Sequence, residues 1–200
     1  LHRPREAAEA LTHARLVWDQ APPEQRQRGL GVQVQVLFHL SRVLRDLSEF
    51  DASTETLISC REVNRQTSPA AIRPEHILAC QGELELRRSD YAAALQSFGT
   101  ARDLDPTSSY IWERLGRTHE LRGEIDTAEA AYQRAVDLPR GAFAFFAIGR
   151  FHVHVTHRYP EAAQALLEAL RRLRSAEPLI RLELARLQLA CDRPQAAMVQ

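Results

Sequence analysis

Three histidines, His152, His154 and His157, are the residues whose type and spacing first suggest chemistry. Imidazole binds transition metals well, and residues three apart on a helix share a face. His152 lies only two residues from His154 and therefore points elsewhere, and no Asp or Glu completes a familiar ligand set. We expect packing and surface roles for these side chains and predict no metal or other cofactor; metal binding and a pH-sensitive contact are the alternatives.

Other reactive side chains form no stronger constellation. Two acidic pairs are poorly placed for acid–base work because their members flank a helix end or fall on different helix faces: Asp103 with Asp105, and Glu83 with Glu85. The cysteines are odd in number, far apart and without C-x-x-C spacing, so we expect buried small hydrophobes in a reducing, cytoplasmic protein: Cys60, Cys80 and Cys191.

The amino-acid composition argues against further classes of function. All 26 basic residues are arginine, and 26 acidic residues bring the formal net charge to zero. Without lysine there can be no Walker phosphate loop, Schiff base or pyridoxal anchor. The balanced charge argues against bulk attraction to nucleic acid or an anionic membrane, and the longest apolar run, Ala142 to Ile148, is too short to span a bilayer. We therefore predict a protein that is not an enzyme and has neither nucleic acid nor membrane as a partner.

The elements that must position these side chains are repeated pairs of helices. The clearest unit reads Trp112-x-x-Leu115-Gly116-x-x-His119, then Ala128-x-x-x-Tyr132-x-x-Ala135 and Pro139. A copy lies 34 residues earlier, at Leu78, Gly82, Ala94, Phe98 and Ala101, and it is followed by Pro106. This pattern resembles the tetratricopeptide repeat family, with His119 where that family usually has Tyr. The resemblance implies an all-α fold, a right-handed α-solenoid of antiparallel helix pairs that forms a superhelix.

The repeat also extends forwards, with one irregularity. Phe145-x-x-Ile148-Gly149-x-x-His152 arrives one residue early, whereas Ala162, Leu166 and Ala169 keep the spacing of 34. We expect the turn from His157 to Pro160 to absorb the extra residue. At the small positions Gly82, Gly116, Gly149 and Ala185 we expect the paired helix to come close.

Weaker copies extend the array towards both ends, each of which is expected to stop mid-repeat within a longer protein. The predicted divisions are a lone helix at 1–21, a degenerate repeat with a long loop at 22–74, repeats at 75–108, 109–141 and 142–177, and a partial repeat at 178–200, in which Ala197 opens the second helix. The stretch from Pro22 to Phe50 predicts an elongated helix, although Gly29 and Gly31 weaken its continuity, and the loop is expected from Arg61 to Pro74.

The resemblance also implies where a ligand would bind. In this family the first helices line a concave groove that receives an extended peptide or a helix, and the residue after the small glycine position tends to face it. Carried over to this chain, the groove is expected to contain Arg42, Glu83, Tyr110, Glu113, Arg117, Phe143, Phe146, Arg150, His154, Leu182 and Arg186, with Val153 and Leu179 alongside. By position, Phe145 is expected in the core instead.

Two interpretations of the arginine column remain open. The guanidinium groups could bind carboxylates or phosphates of a ligand through bidentate contacts, or they could pair with nearby acids such as Glu113 and Glu120. The lysine and asparagine clamp known from acidic-tail receptors of this family cannot be assembled without lysine. The predicted partner is thus a protein or peptide, with acidic ligands as one alternative.

The predicted function is a protein-binding scaffold or adaptor that uses the concave groove. The alternative is a regulatory or substrate-recognition segment of a larger enzyme or transcriptional regulator. A third hypothesis is a homodimer formed through an apolar end of the solenoid, where Leu184, Leu187 and Leu189 are expected to be exposed.

Overall fold

The structure is a computed structural model that describes residues 4–139, 141–173 and 177–191. Within these ranges the chain is built from eleven α-helices and contains no β-strand. The chain divides into two compact units, Leu1–Asp105 and Pro106–Gln200. The predicted all-α class of antiparallel helix pairs is confirmed.

The first unit contains six helices: α1 (Pro4–Gln20), α2 (Pro23–Arg28), α3 (Leu30–Asp46), α4 (Phe50–Asn64), α5 (Pro74–Arg87) and α6 (Tyr91–Leu104). Helices α3 and α4 pack as one pair and α5 and α6 as another, while α1 lies against α3. The core between α3, α4 and α5 includes Val34, Leu37, Leu57 and Ile77.

The second unit contains the remaining helices: α7 (Ser109–Leu121), α8 (Ile125–Asp137), α9 (Ala142–Phe151), α10 (Tyr159–Arg172) and α11 (Glu177–Cys191). A π-helical turn, His152–Thr156, extends α9. The pairs are α7 with α8 and α9 with α10, and α11 packs on α10. The predicted opening of a further helix near Ala197 lies outside the described residues.

Two predicted boundaries of the first unit are wrong. The elongated helix is broken at Gly29, whose backbone (φ −104°, ψ 12°) leaves helical geometry between α2 and α3, and α3 ends at Asp46. The loop is shorter than expected because α4 continues to Asn64. The Asn64 amide then donates to the Ile72 carbonyl at 2.7 Å and its Oδ1 accepts from the Ile72 backbone N–H at 3.0 Å, which holds the loop against the helix end.

Glycines at the repeated small positions bring the two helices of a pair into contact. A Cβ atom built at Gly82 would lie 2.8 Å from the ring of Phe98, one at Gly116 would lie 2.8 Å from the ring of Tyr132, and one at Gly149 would lie 2.8 Å from Leu166. All three neighbours are buried. Any larger residue would therefore push a core side chain out of place. Ala185, the fourth predicted small position, is exposed.

The extra residue of the last full repeat is absorbed before the predicted turn. The turns between paired helices contain a residue with positive φ at Ser48, Ser89, Gly123 and His157. The residue with positive φ follows the small position by seven residues after Gly82 and after Gly116, but by eight residues after Gly149. A π turn closes its ring with one residue more than an α turn. The segment His152–Thr156 therefore accommodates the insertion, and the expectation that residues 157–160 do so is wrong.

Replacement of Gly82 by Ala is expected to lower the free energy of unfolding by about 1–3 kcal/mol, because the methyl group collides with the buried ring of Phe98. Gly99 in α6 is the matched control, since a Cβ there meets no atom within 4 Å. Gly99→Ala should instead raise stability by about 0.5–1 kcal/mol through helix propensity. Denaturant unfolding followed by circular dichroism measures both, and equal effects of the two changes would contradict the close-contact explanation.

Candidate functional site

A groove on the second unit is the best candidate for a binding site. It is a concavity of about 470 Å³ formed by α7, α9 and α11. We call this concavity the groove and define it by its lining residues: Ser109, Tyr110, Glu113, Arg114, Arg117, Phe143, Ala144, Phe146, Ala147, Arg150 and Leu179.

Large apolar side chains are exposed along this groove. Tyr110 is 47% exposed, and Phe143 and Leu179 are each 58% exposed. Phe146 is only partly covered and packs against the core of the unit. Scattered exposed hydrophobic residues are common on proteins, but several around one concavity are typical of a surface that binds another molecule.

Two arginines of the groove lie over its aromatic rings. The guanidinium carbon of Arg114 is 5.1 Å from the centre of the Tyr110 ring, and that of Arg150 is 5.8 Å from the centre of the Phe146 ring. Arg114 also forms an ion pair with Glu113, with 3.2 Å between Nε and Oε2. The cations therefore lie beside the apolar surface, where a ligand would contact both.

Arg117 is held by a network inside the unit. Its Nη1 donates to Glu120 Oε1, and Glu120 Oε2 accepts from the hydroxyl of Tyr132 at 2.5 Å. Burial and the Glu120 carboxylate raise the pKa of Tyr132, so the phenol remains a proton donor. Arg117 therefore pairs with Glu120 in the structure. This arrangement agrees with one of the two interpretations of the arginine column.

A second network surrounds Glu183 of α11, a residue that is only 4% exposed. Oε2 of Glu183 lies 2.8 Å from His154 Nε2, and Oε1 accepts from Arg186 Nη1 at 2.8 Å. Arg150 Nε lies 3.6 Å from the same Oε1 atom. One buried carboxylate therefore joins the π turn and α9 to α11.

The structure brings together six of the predicted site residues. Tyr110, Glu113, Arg117, Phe143, Phe146 and Arg150 line the groove. His154 and Arg186 adjoin it through Glu183, and Leu182 is exposed on α11. Arg42 and Glu83 belong to the first unit, where Arg42 lies over the ring of Phe38 and Glu83 is buried.

Several predicted environments are wrong. Val153 is buried in the core that also contains Leu166 and Ile180, so it does not face the groove. Leu187 is buried in the same core, whereas Cys191 is exposed; Cys60 and Cys80 are buried as expected. Leu184 is partly covered, and the exposed leucines of α11 are Leu179, Leu182 and Leu189.

Sequence reasoning missed Arg114 and Glu183. Both lie two residues before a small position, Gly116 and Ala185 respectively, and the family pattern specifies no residue type there. The spacing of three between Glu183 and Arg186 is a recognisable ion-pair signal on a helix. Nothing in the local sequence, however, connects Glu183 with Arg150 or His154, which lie about 30 residues earlier.

The three histidines have separate environments. His152 is buried, with Nδ1 3.0 Å from Thr156 Oγ1; His154 contacts Glu183; and His157 Nδ1 donates to the Val153 carbonyl at 3.2 Å. In the part of the chain that the structure describes, no three His, Cys, Asp or Glu side chains are grouped to hold a metal ion.

These observations define the class of protein as an array of short helix pairs, with a groove on the first-helix side of one unit. The family follows from comparison: residues 81–143 match the family described as Tetratricopeptide repeat. The resemblance derived from the sequence is therefore confirmed, and residues 81–143 contain tetratricopeptide repeat sequence. Such repeats are in general protein-interaction scaffolds and are typically non-catalytic.

Solved structures support the fold. A crystal structure of MamA is similar with a TM-score of 0.52 and 20% identity, covering 69% of this chain and 77% of that chain. A structure titled MamA RS-1 ArsTM double mutant has a TM-score of 0.52 and 17% identity, covering 82% of this chain and 93% of that chain. At these identities the likeness concerns the fold alone.

A search for similar curated proteins and a search for membrane-spanning helices among the described residues both gave negative results. No curated protein matches the sequence. Among the described helices, none combines the length and apolar character needed to cross a lipid bilayer.

The buried His152 makes the stability of the second unit depend on pH. Burial, together with the charge of Arg158, lowers the pKa of His152 below its ordinary value of 6.5. The unfolded chain therefore binds a proton at this residue more readily than the folded chain does, and stability is lost as pH falls through about 6.5, at no more than about 1.4 kcal/mol per pH unit.

We expect His152→Gln to remove this part of the pH dependence. The measurement is the free energy of unfolding of both proteins at about pH 7.5 and about pH 5.5, where the wild type should lose more stability than the variant. Identical losses in the two proteins would show that His152 does not titrate on unfolding in this range.

Proposed function

We propose that this chain is an adaptor or scaffold module that binds a peptide segment of another protein in the groove of the second unit. The observation that carries the proposal is the grouping of Tyr110, Phe143 and Leu179, all about half exposed, beside Arg114 and Arg150. Tyrosine and arginine are enriched among the residues that dominate protein–protein binding energies, and buried aromatic anchors supply much of it.

The charges near the groove favour an acidic ligand. Among the described residues, two arginines, Arg150 and Arg186, share the single carboxylate of Glu183. The surplus of one positive charge attracts a peptide that carries carboxylates. The same surplus is too small to suggest nucleic acid, for which binding rests on neutralising several phosphates.

We further propose that binding involves no catalysis and takes place in a reducing, cytoplasmic setting. The support for the compartment is the pair of free, buried cysteines Cys60 and Cys80. Burial raises the pKa of the Cys60 thiol to about 12, so it remains protonated and unreactive at neutral pH.

The groove can be tested with a displayed library of random twelve-residue peptides, selected on the whole chain and measured by fluorescence polarisation. Changing Phe143 or Leu179 to Ala should weaken the selected peptides about tenfold each, because each change removes apolar surface that the ligand would cover. Leu167→Ala is the matched control, since Leu167 is 47% exposed on α10 and does not line the groove.

The control variant should bind as the wild type does. If the library yields no binders, or if Leu167→Ala weakens binding as much as the groove variants do, peptide binding by this groove is wrong. Circular dichroism of each variant establishes that a loss of affinity is not a loss of fold.

Self-association is a second candidate, favoured by the exposed Leu182 and Leu189 on α11. Light scattering over a range of concentrations should then show a dimer that Leu189→Ala weakens, because an apolar contact between copies loses area. A monomer at all concentrations would exclude this candidate and leave the peptide groove unaffected.

A further inference from the structure

We infer that Arg150 and Arg186, held together by the buried Glu183, form the point at which the groove recognises a carboxylate of its ligand, and that Arg117 has a structural role instead. This inference rests on the proposed function and specifies it. It assigns ligand discrimination to two arginines and a positioning role to Glu183.

Arg150 and Arg186 share one oxygen atom of Glu183. Arg186 Nη1 lies 2.8 Å and Arg150 Nε 3.6 Å from Oε1 of Glu183, so the two guanidinium groups converge although they come from different helices. The longer distance exceeds a hydrogen bond, and Arg150 Nε is buried without a hydrogen-bond partner. Glu183 therefore holds Arg150 by charge more than by hydrogen bonding.

The charges of Arg150, Arg186 and Glu183 do not balance one another. Two permanent cations face one carboxylate here, which leaves a surplus of one positive charge even when His154 is neutral. The side chains of Arg150 and Arg186 are 43% and 51% exposed, whereas that of Glu183 is 6% exposed. A carboxylate from solvent can reach the arginines but cannot replace the buried acid.

Arg117 differs from Arg150 and Arg186 in its charge balance and in its exposure. Glu120 pairs with it one to one and also accepts the hydroxyl of the buried Tyr132, so the guanidinium is part of the link between α7 and α8. The side chain is also less exposed, at 34%. A ligand that took Arg117 away from Glu120 would leave a carboxylate without its cation, which costs free energy.

The spacing along the helices defines the ligand further. Phe143 precedes Arg150 by seven residues on α9, and Leu179 precedes Arg186 by seven residues on α11. Seven residues of α-helix rise about 10 Å. An extended peptide advances about 3.3 Å per residue and its side chains alternate between two faces, so an apolar residue and an acidic residue two or four positions apart would share a face and reach the apolar pair and the arginine pair together.

The test uses the same displayed library and whole chain. Peptides selected on the wild type should contain Asp or Glu two or four residues from an apolar residue. Replacing that acid in a selected peptide by its amide, Asp→Asn or Glu→Gln, should reduce affinity about tenfold or more, the range for a charge-assisted bidentate contact. This change lies in the peptide and cannot disturb the fold of the protein.

The protein variants then locate the discrimination. In Arg150→Gln/Arg186→Gln the acidic peptide and its amide analogue should bind with nearly equal affinity, whereas Arg117→Gln should keep the tenfold difference and lose thermal stability. Arg150→Lys/Arg186→Lys should restore part of the discrimination, because charge returns without the bidentate geometry.

Several outcomes would overturn the inference. Discrimination that survives in Arg150→Gln/Arg186→Gln, or that disappears in Arg117→Gln while that variant is folded, assigns recognition to other residues and leaves the peptide groove intact. If the selected peptides show no preference for acidic residues, the inference is likewise wrong, and the peptide groove remains intact. A library that yields no groove-dependent binder contradicts the proposed function and this inference with it.

Discussion

The close approach of paired helices at Gly82, Gly116 and Gly149 is the constraint on which the rest of the structure depends. Each glycine leaves room for one large side chain of the partner helix, Phe98, Tyr132 and Leu166 respectively. A short helix pair cannot bury its apolar face alone, so the pair must first close tightly and then stack on its neighbour. The places of the groove residues on α7 and α9 follow from this repeated contact.

Buried or partly buried carboxylates compensate the arginine charges, and each of them has more than one partner. Glu120 joins Arg117 to the Tyr132 hydroxyl, and Glu183 joins Arg186, Arg150 and His154. Burying an acid is unfavourable unless cations and hydrogen bonds compensate for lost hydration. The two sites differ in their balance, because Glu120 has one cationic partner and Glu183 has at least two. This difference separates an arginine that supports the fold from arginines that remain available to a ligand.

The inserted residue near His152 shows how the array tolerates irregularity. The residues with positive φ at Ser89, Gly123 and His157 keep the spacing of 34, so the turns and the following helices stay in register. The π turn confines the insertion to the end of α9. That same segment contains Val153, which is buried in the core with Leu166, and His154, which reaches Glu183, so the irregular turn joins the core to the charge network beside the groove.

The order of residues was enough to predict the helix pairs, their period and the small positions, because these follow from local spacing of glycine, alanine and aromatic residues that any copy must keep. It also indicated six residues that line one groove, since the family pattern assigns a face to each position of a first helix. It could not place the π turn, because a count of residues shows an insertion without showing which backbone geometry absorbs it. The burial of Val153 and Leu187 and the link from Glu183 to two arginines are evident only in the folded chain, since burial and charge pairing depend on neighbours about 30 residues away in the chain.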